Sequence, residues 1–413
     1  MSQKSIVVLA TLDTKGIEVA YLRERIEARG HRAVVIDTGV MGEPTTLADF
    51  SRATVAVAGG ASLEALQAVA DREQAGPVMA AGASQIVGEL VATEKAHAIL
   101  SLGGTQGTTL GTAVMRSLPY GFPKIMLSTM ASGNVAPWVN TKDITMMHSV
   151  TDIMGLNPFM RRILANAAGA ACGMAEVDVM IRSSHRPLVA ITTVGITTKG
   201  AMHATKVLEQ AGYETIVFHA VGTGGRAMEE MMRQGLIGAV LDYSTIEVSN
   251  EMHHALLAGG PDRLMTAGQL GLPQVICPGA LEVLVFNEPE TVPTIYRDRK
   301  LVRHSSQITD LRLNREEMAE VGREVAKRLQ ATTDEAVFLV PRAGYDSYSV
   351  VDGPFHDPDA DAALVDEMRT ALPDNIRLVE RDTDINDPAF AEEAATTLVR
   401  LIQQKHQLVG AAR

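Results

Sequence analysis

From end to end, the sequence alternates continuous apolar runs of strand length with amphipathic stretches of helix length. Residues 6–10 (IVVLA) form an unbroken, mostly β-branched run, the composition of a strand buried on both faces. Helical spacing follows over 16–29, with Ile17, Val19, Ala20, Leu22 and Ile26 on one stripe, and Gly30 stands where a helix C-terminal glycine belongs. Residues 33–37 (AVVID) then close a βαβ unit. Strands that are apolar throughout and joined by helices belong to a parallel sheet covered on both sides, so the chain is α/β.

The same alternation predicts strands at 96–102, 124–129 and 144–148, with helices near 106–117 and 158–172. A more polar stretch, 174–186, leads into a second series. Strands are predicted there at 188–193, 215–219, 238–242, 274–277, 336–341 and 376–380. Helices are predicted near 199–211, 225–234, 246–257, 315–330, 359–371 and 387–404. The two series read as copies of one plan. VVLATLDTKG (7–16) answers to VAITTVGITTKG (189–200), and ARGHRAVVIDTG (28–39) to QAGYETIVFHAVG (210–222). The expected organisation is two Rossmann-like, doubly wound parallel-sheet subdomains, 1–182 and 183–413. A cleft between them is expected at the carboxyl ends of the strands, where ligands of such sheets bind.

Composition narrows the partners. With 37 Lys and Arg against 49 Asp and Glu, the net charge of −12 argues against a nucleic-acid or anionic-membrane surface. The 46% hydrophobic content supplies a core and excludes a mainly disordered chain. Two cysteines, Cys172 and Cys277, make neither a disulfide framework nor a four-thiolate zinc site. No window approaches the roughly 20 apolar residues of a membrane span, and the apolar run near the N-terminus is too short for a signal peptide. A soluble, cytoplasmic protein is expected.

Three glycine-rich turns follow predicted strands and precede predicted helices: Gly103-Gly104-Thr105-Gln106-Gly107-Thr108, Ser128-Thr129-Met130-Ala131-Ser132-Gly133-Asn134, and Gly222-Thr223-Gly224-Gly225 ahead of Arg226. Glycines let backbone approach a phosphate, the helix N-terminus offers free N–H groups, and the hydroxyls and guanidinium add donors. Tight βα packing also calls for glycine; three such turns along strand ends favour phosphate. Neither GxxxxGK[ST] nor GxGxxG occurs.

The first βα turn carries Thr11, Asp13, Thr14 and Lys15. Lys15 suits a phosphate as a point charge and Asp13 suits Mg²⁺ or a ribose hydroxyl, the alternative being residues that merely dress the first helical turn. Gly279 follows the strand that holds Cys277, which reads as a buried filler rather than a nucleophile. His219 ends a strand just before a glycine loop and is the best acid/base candidate. Asp242 and Glu247 join it as candidate catalytic groups. Glu247, Glu251 and His254 fall on one helical face at i, i+4 and i+7, a pattern that suits a divalent metal and equally a solvated face. No GxSxG elbow or HExxH is present.

Several longer segments point to one family: ATLDTKG (10–16), GGTQGT (103–108), STMASGN (128–134), DITMMHSVTDIMGLN (143–157), FHAVGTGGRAME (218–229) and GPDRLMTAGQLGLPQVICPGALE (260–282). Over essentially its whole length the chain resembles the family sharing the N-terminal ATP-binding domain of the tomato mosaic virus resistance protein, whose bacterial members are of about this length. The resemblance implies two Rossmann-like subdomains, an ATP site and a homodimer; Mg²⁺ is expected with the nucleotide, held by carboxylates near the glycine loops. The 20 methionines, some clustered at Met146-Met147 and Met231-Met232, suit a subunit contact as well as core filling. Two departures stand out. The family often has GGSGGT where this chain has GGTQGT, and GFSxxD where residues 344–349 read GYDSYS, with Asp346 and Ser349 exchanged.

Three functions are compatible with these features. The first is an enzyme using Mg-ATP on a small-molecule substrate. The second is a nucleotide-dependent regulatory or partner-binding protein. The third is a sugar-nucleotide or sugar-acid epimerase or transferase.

Overall fold

The apolar runs of the first half become five parallel strands: β1 (Ser5–Ala10), β2 (Arg32–Asp37), β3 (Ala98–Gly103), β4 (Lys124–Ser128) and β5 (Thr145–His148). They lie in the order β2-β1-β3-β4-β5 in the computed structural model, which describes residues 2–69, 72–179 and 188–411. Helices α1 (Leu12–Glu27), α2 (Arg52–Ala58), α3 (Leu63–Val69), α4 (Arg72–Ala92), α5 (Thr105–Arg116), α6 (Ala136–Val139) and α7 (Pro158–Glu176) complete this unit. Successive side chains of a strand point to opposite faces, and β1 uses both. Ile6 and Val8 pack with Val19 and Leu22 of α1 and Leu164 of α7, whereas Val7 and Leu9 pack with Val55 of α2, Met79 of α4 and Val114 of α5. This two-sided burial is why the run is apolar without interruption.

Lys124, at the start of β4, is buried completely. Its ammonium donates to the carbonyls of Pro119 and Phe122, at 2.7 and 2.8 Å, and to Asp143 Oδ1 at 2.8 Å. Burial pulls its pKa below the ordinary lysine value, and Asp143 works against that shift. Lys124→Met keeps the stem packing and leaves those acceptors without their donor. Urea unfolding is expected to show a loss of about 1–2 kcal/mol, since Asp143 keeps water contact.

The second unit is built from β6 (Val189–Thr193), β7 (Thr215–His219), β8 (Ala239–Ser244), β9 (Gln274–Gly279), β10 (Val283–Phe286), β11 (Leu301–Arg303), β12 (Thr309–Arg312), β13 (Ala336–Pro341) and β14 (Ile376–Arg381). Six of these form a parallel sheet in the order β14-β13-β9-β8-β6-β7, and the others form a small antiparallel sheet, β10-β12-β11. Its helices are α8 (Thr198–Gln210), α9 (Thr223–Arg233), α10 (Ile246–Met252), α11 (Thr266–Gln269), α12 (Arg315–Leu329), α13 (Pro358–Ala371) and α14 (Pro388–Ala411). In both parallel sheets the first strand lies between the second and the third, the order expected of two copies of one plan.

The compact units are Met1–Ile181 and Arg182–Arg413. The boundary expected at 182/183 lies outside the described residues. Two features were not anticipated: helices α2 to α4 between β2 and β3, and the antiparallel sheet between β9 and β13.

Candidate functional site

In a doubly wound sheet, ligands bind where the strand order reverses, outside the carboxyl ends of the strands. In the first unit that point lies between β1 and β3, and a cavity of about 640 Å³ opens there. One side is polar. Thr11 follows β1 and N-caps α1; its hydroxyl meets that of Thr14 at 2.8 Å. Thr38 and Gly39 come from the turn after β2, and Thr105, Gln106 and Gly107 form the first turn of α5, whose N–H groups have no intrahelical acceptor. The other side is apolar, with Val40, Leu66, Pro77, Met79 and Leu110.

Two carboxylates shape the polar side. Asp37 is buried, and its Oδ1 accepts from the backbone N–H groups of Leu12 at 3.0 Å and Gly39 at 2.8 Å. Burial raises its pKa, and the two backbone hydrogen bonds oppose the rise. Asp13 lines the cavity. Its Oδ2 accepts from Gly42 N–H at 3.2 Å, while its Oδ1 is buried without a hydrogen-bond partner.

The other residues expected here have varied fates. A Cβ on Gly103 would lie 2.9 Å from Gly107 Cα, so this turn is closed to any side chain. Gly104 N-caps α5, and a Cβ there would meet only Thr129 Oγ1, at 3.8 Å. Thr108 is buried, bonded to the Gly104 carbonyl and to Ser128 Oγ. Thr129, Ser132 and Gly133 lie in the turn after β4 and do not line this cavity. Lys15 turns away, donating to the Ile153 carbonyl at 2.5 Å.

The second unit departs further from expectation. The N–H groups of Gly222 and Gly225 are taken by an internal carboxylate: Glu247 Oε1 accepts both, at 2.6 and 3.0 Å. Glu247 Oε2 accepts from Arg263 Nε at 2.6 Å, and the rest of that guanidinium forks onto Asp242 at 2.6 and 2.7 Å. Glu229 stands 3.7 Å from it, and all four side chains are buried. Burial works against the charge on Arg263; Asp242 and Glu247 outweigh it and raise the pKa well above the ordinary value. A Cβ on Gly225 would fall 1.9 Å from Glu247 Oε2. Asp242 and Glu247, expected as catalytic groups, are thus bound up in a buried ion network, and the loop expected to cradle phosphate cradles Glu247.

Gly224 and Gly279 serve close backbone packing. A Cβ on the first would lie 1.8 Å from the His219 carbonyl, and on the second 2.2 Å from the Tyr243 carbonyl. Thr223 and His219 are exposed, and Arg226 Nε donates to the Gly222 carbonyl. The face of Glu247, Glu251 and His254 does not form, because α10 ends at Met252 and Glu251 caps the N–H of Gly260. Among the described residues no three His, Cys, Asp or Glu side chains gather as metal ligands. Cys172 and Cys277 are buried and unbonded.

Sequence reasoning missed an acidic cluster beyond β9 and β13. Glu282 and Asp346 are fully buried; both carboxylate oxygens of Glu282 and Oδ2 of Asp346 lack hydrogen-bond partners. Burial, reinforced by Asp346 and Asp361, raises the Glu282 pKa well above the usual carboxylate range. Asp361 is pushed up to about 6 by burial, against the pull of Arg312, which it meets at 2.6 Å. Asp310 is likewise pushed up to about 6 by burial, with His304 at 3.7 Å opposing. The exchanged pair is reciprocal: Asp346 Oδ1 accepts from Ser349 N–H, and Ser349 Oγ from Asp346 N–H. A signal for Glu282 was its place in the turn between the strand that carries Cys277 and β10.

Fold and cavity together define a two-unit, Rossmann-like α/β protein with a ligand-sized cavity at the switch point of its first sheet. The model described as "Uncharacterised protein family (UPF0261) N-terminal domain" matches residues 4–180, and its C-terminal counterpart matches 186–402. The chain belongs to this family. It is 39% identical over 402 residues to a UPF0261 protein of Clostridium tetani, covering 97% of this chain and 100% of that one. It is 40% identical over 395 residues to UPF0261 protein RA0729 of Rhizobium meliloti, covering 95% and 97%.

The ToMV resistance protein Tm-1(GCR237) of Solanum lycopersicum is 31% identical over 310 residues, covering 73% of this chain and 41% of that protein. Among solved structures, a putative UDP-N-acetylglucosamine 2-epimerase from Listeria monocytogenes aligns over 67% of this chain and 79% of its own, with 11% identity and a TM-score of 0.21, too low to bear on function. Among the described residues no helix is long and apolar enough to cross a membrane.

Proposed function

We propose that the chain binds a nucleotide, ATP by the family resemblance, in the cavity at the β1/β3 switch point. The observation that carries this reading is the cavity itself: about 640 Å³, apolar on one side and edged by the first turns of α1 and α5 on the other. A volume of this order suits a nucleotide-sized ligand. The apolar side, with Val40, Leu66 and Leu110, suits the base, and the first turn of α5 suits a phosphate oxygen. Asp13, which lines the cavity, suits a ribose hydroxyl or a Mg²⁺ ion carried by the nucleotide.

Two versions of this function remain distinct. In one, the protein is an enzyme using Mg-ATP on a small molecule; in the other, ATP binding regulates contact with a partner. The ion network that absorbs Asp242 and Glu247 favours the second, because it removes two of the expected catalytic groups. Conversion of ATP to ADP by the purified protein, in single turnover, separates them.

The site itself is tested by filling it. Ala113 lines the cavity from α5, and Ala113→Trp places an indole in the space assigned to the nucleotide. ATP affinity is expected to fall at least about tenfold, about 1.4 kcal/mol, in a variant that still melts cooperatively. Wild-type affinity in the folded variant rules the cavity out as the nucleotide site.

A further inference from the structure

Each parallel sheet has its first strand between its second and third, so each has a switch point: β1/β3 in the first unit and β6/β8 in the second. In the first unit the cavity is framed by the turn after β2, with Thr38 and Gly39, and by the first turn of α5, with Thr105 and Gln106. Their counterparts in the second unit are the turn after β7 and the first turn of α10. The connections match closely. One residue, Gly104 or Thr245, separates the third strand from its helix, and Gln106 and Glu247 are each the second residue of that helix.

The difference lies in what stands between these two elements. Gln106 borders the cavity. Glu247 is buried and reaches the turn after β7, where its Oε1 accepts from the N–H groups of Gly222 and Gly225 and its Oε2 from Arg263 Nε. The backbone makes way for it: a Cβ on Gly225 would lie 1.9 Å from Glu247 Oε2, and one on Gly259 would lie 2.8 Å from Glu247 Cβ. Two N–H groups at the start of α9 and a guanidinium form a donor set for an oxyanion, which a carboxylate satisfies as a phosphate would. We infer that Glu247 is a built-in ligand, occupying in the second unit the place that the nucleotide takes in the first, so that the chain binds one nucleotide and not two. The inference rests on the nucleotide reading above for the identity of that ligand.

Removing the carboxylate should leave a site that a small oxyanion can fill. Urea unfolding of Glu247→Ala in sodium formate, and in sodium chloride of equal concentration, tests this. The folding equilibrium constant of the variant should rise with formate, about tenfold over chloride when formate stands at ten times its Kd. The wild type should unfold alike in the two salts, because its own carboxylate holds the place. Glu247→Gln should do the same, since its amide keeps an oxygen for the two N–H groups. Should Glu247→Ala fold only in formate, as circular dichroism will report, that recovery supports the inference. A Glu247→Ala variant indifferent to the choice of salt, folded in both or unfolded in both, overturns it.

Isothermal titration of the full chain with ATP tests the stoichiometry. One ATP per chain is expected, and Ala113→Trp should weaken that single event without uncovering a second. Two ATP per chain overturns the inference and leaves the cavity reading standing. No ATP bound overturns the nucleotide reading, and the formate comparison then decides separately whether Glu247 fills an oxyanion site.

Discussion

Arg263→Leu lowers the stability of the second unit by about 3–5 kcal/mol at pH 7, the cost of leaving buried charges without their partner. Three carboxylates surround the guanidinium: Asp242 and Glu247 at 2.6 Å and Glu229 at 3.7 Å. Leucine fills part of the volume and satisfies none of them. The effect has a pH signature. Burial already holds the Glu229 pKa above its ordinary value against the pull of Arg263, and losing the guanidinium raises it further. A group of that kind contributes stability that is intact below the unfolded value and is lost as pH rises through the folded one. The deficit of the variant should therefore be smallest near pH 4 and grow toward neutrality. Urea denaturation across that range checks both claims, and a midpoint equal to wild type at pH 7 would remove the network from the account of stability.

Glu282→Gln is expected to do the opposite. Glu282 is buried, and burial with Asp346 and Asp361 raises its pKa well above the ordinary 4.5 against the weaker pull of Arg312 and the Ser349 hydroxyl. With a raised folded-state value, its contribution is present below about pH 4.5 and lost as pH climbs through the folded value, so the wild type weakens toward alkaline pH. Glutamine is nearly isosteric and never ionises. At pH 8 the variant should exceed the wild type by about 1–3 kcal/mol, the wild type having either to bury the charge or to take up a proton, and the difference should shrink toward pH 4.5. Thermal melts at the two pH values decide it. A variant that is less stable at pH 8 would mean that the ionised carboxylate has a partner which the geometry does not show.

The parallel strands were legible because both of their faces are covered. In IVVLA no position is free to be polar: Ile6 and Val8 pack on one side, Val7 and Leu9 on the other. The antiparallel sheet escaped notice because β11 and β12 are only 3 and 4 residues long and mix polar with apolar side chains. Helices α2 to α4 were hidden by alanine- and glycine-rich sequence, with Pro77 inside α4.

The site was legible only in outline. Glycine at 104 and glycine at 225 are the same letter ahead of a helix or in its first turn. Space beside Gly104 is open to 3.8 Å, while Gly225 faces a carboxylate contributed from 22 residues further on. What distinguishes them is the approach of Glu247 and Arg263, a tertiary fact that local sequence does not carry. Lys15 has the same history: its neighbours on α1 say nothing of the Ile153 carbonyl 138 residues away that takes its ammonium.

The strand order of the first sheet also sets a timetable for synthesis. The β1-α1-β2 unit is local and can assemble as soon as the first forty or so residues have emerged. The other edge of β1, however, pairs with β3, and the partners Leu9 and Ser101 are 92 residues apart. Until β3 leaves the ribosome, at synthesis rates of about 5–20 residues per second, β1 presents a bare apolar edge for several seconds. Such an edge is a template for pairing with other nascent chains, so this strand is where a chaperone would be most needed during translation.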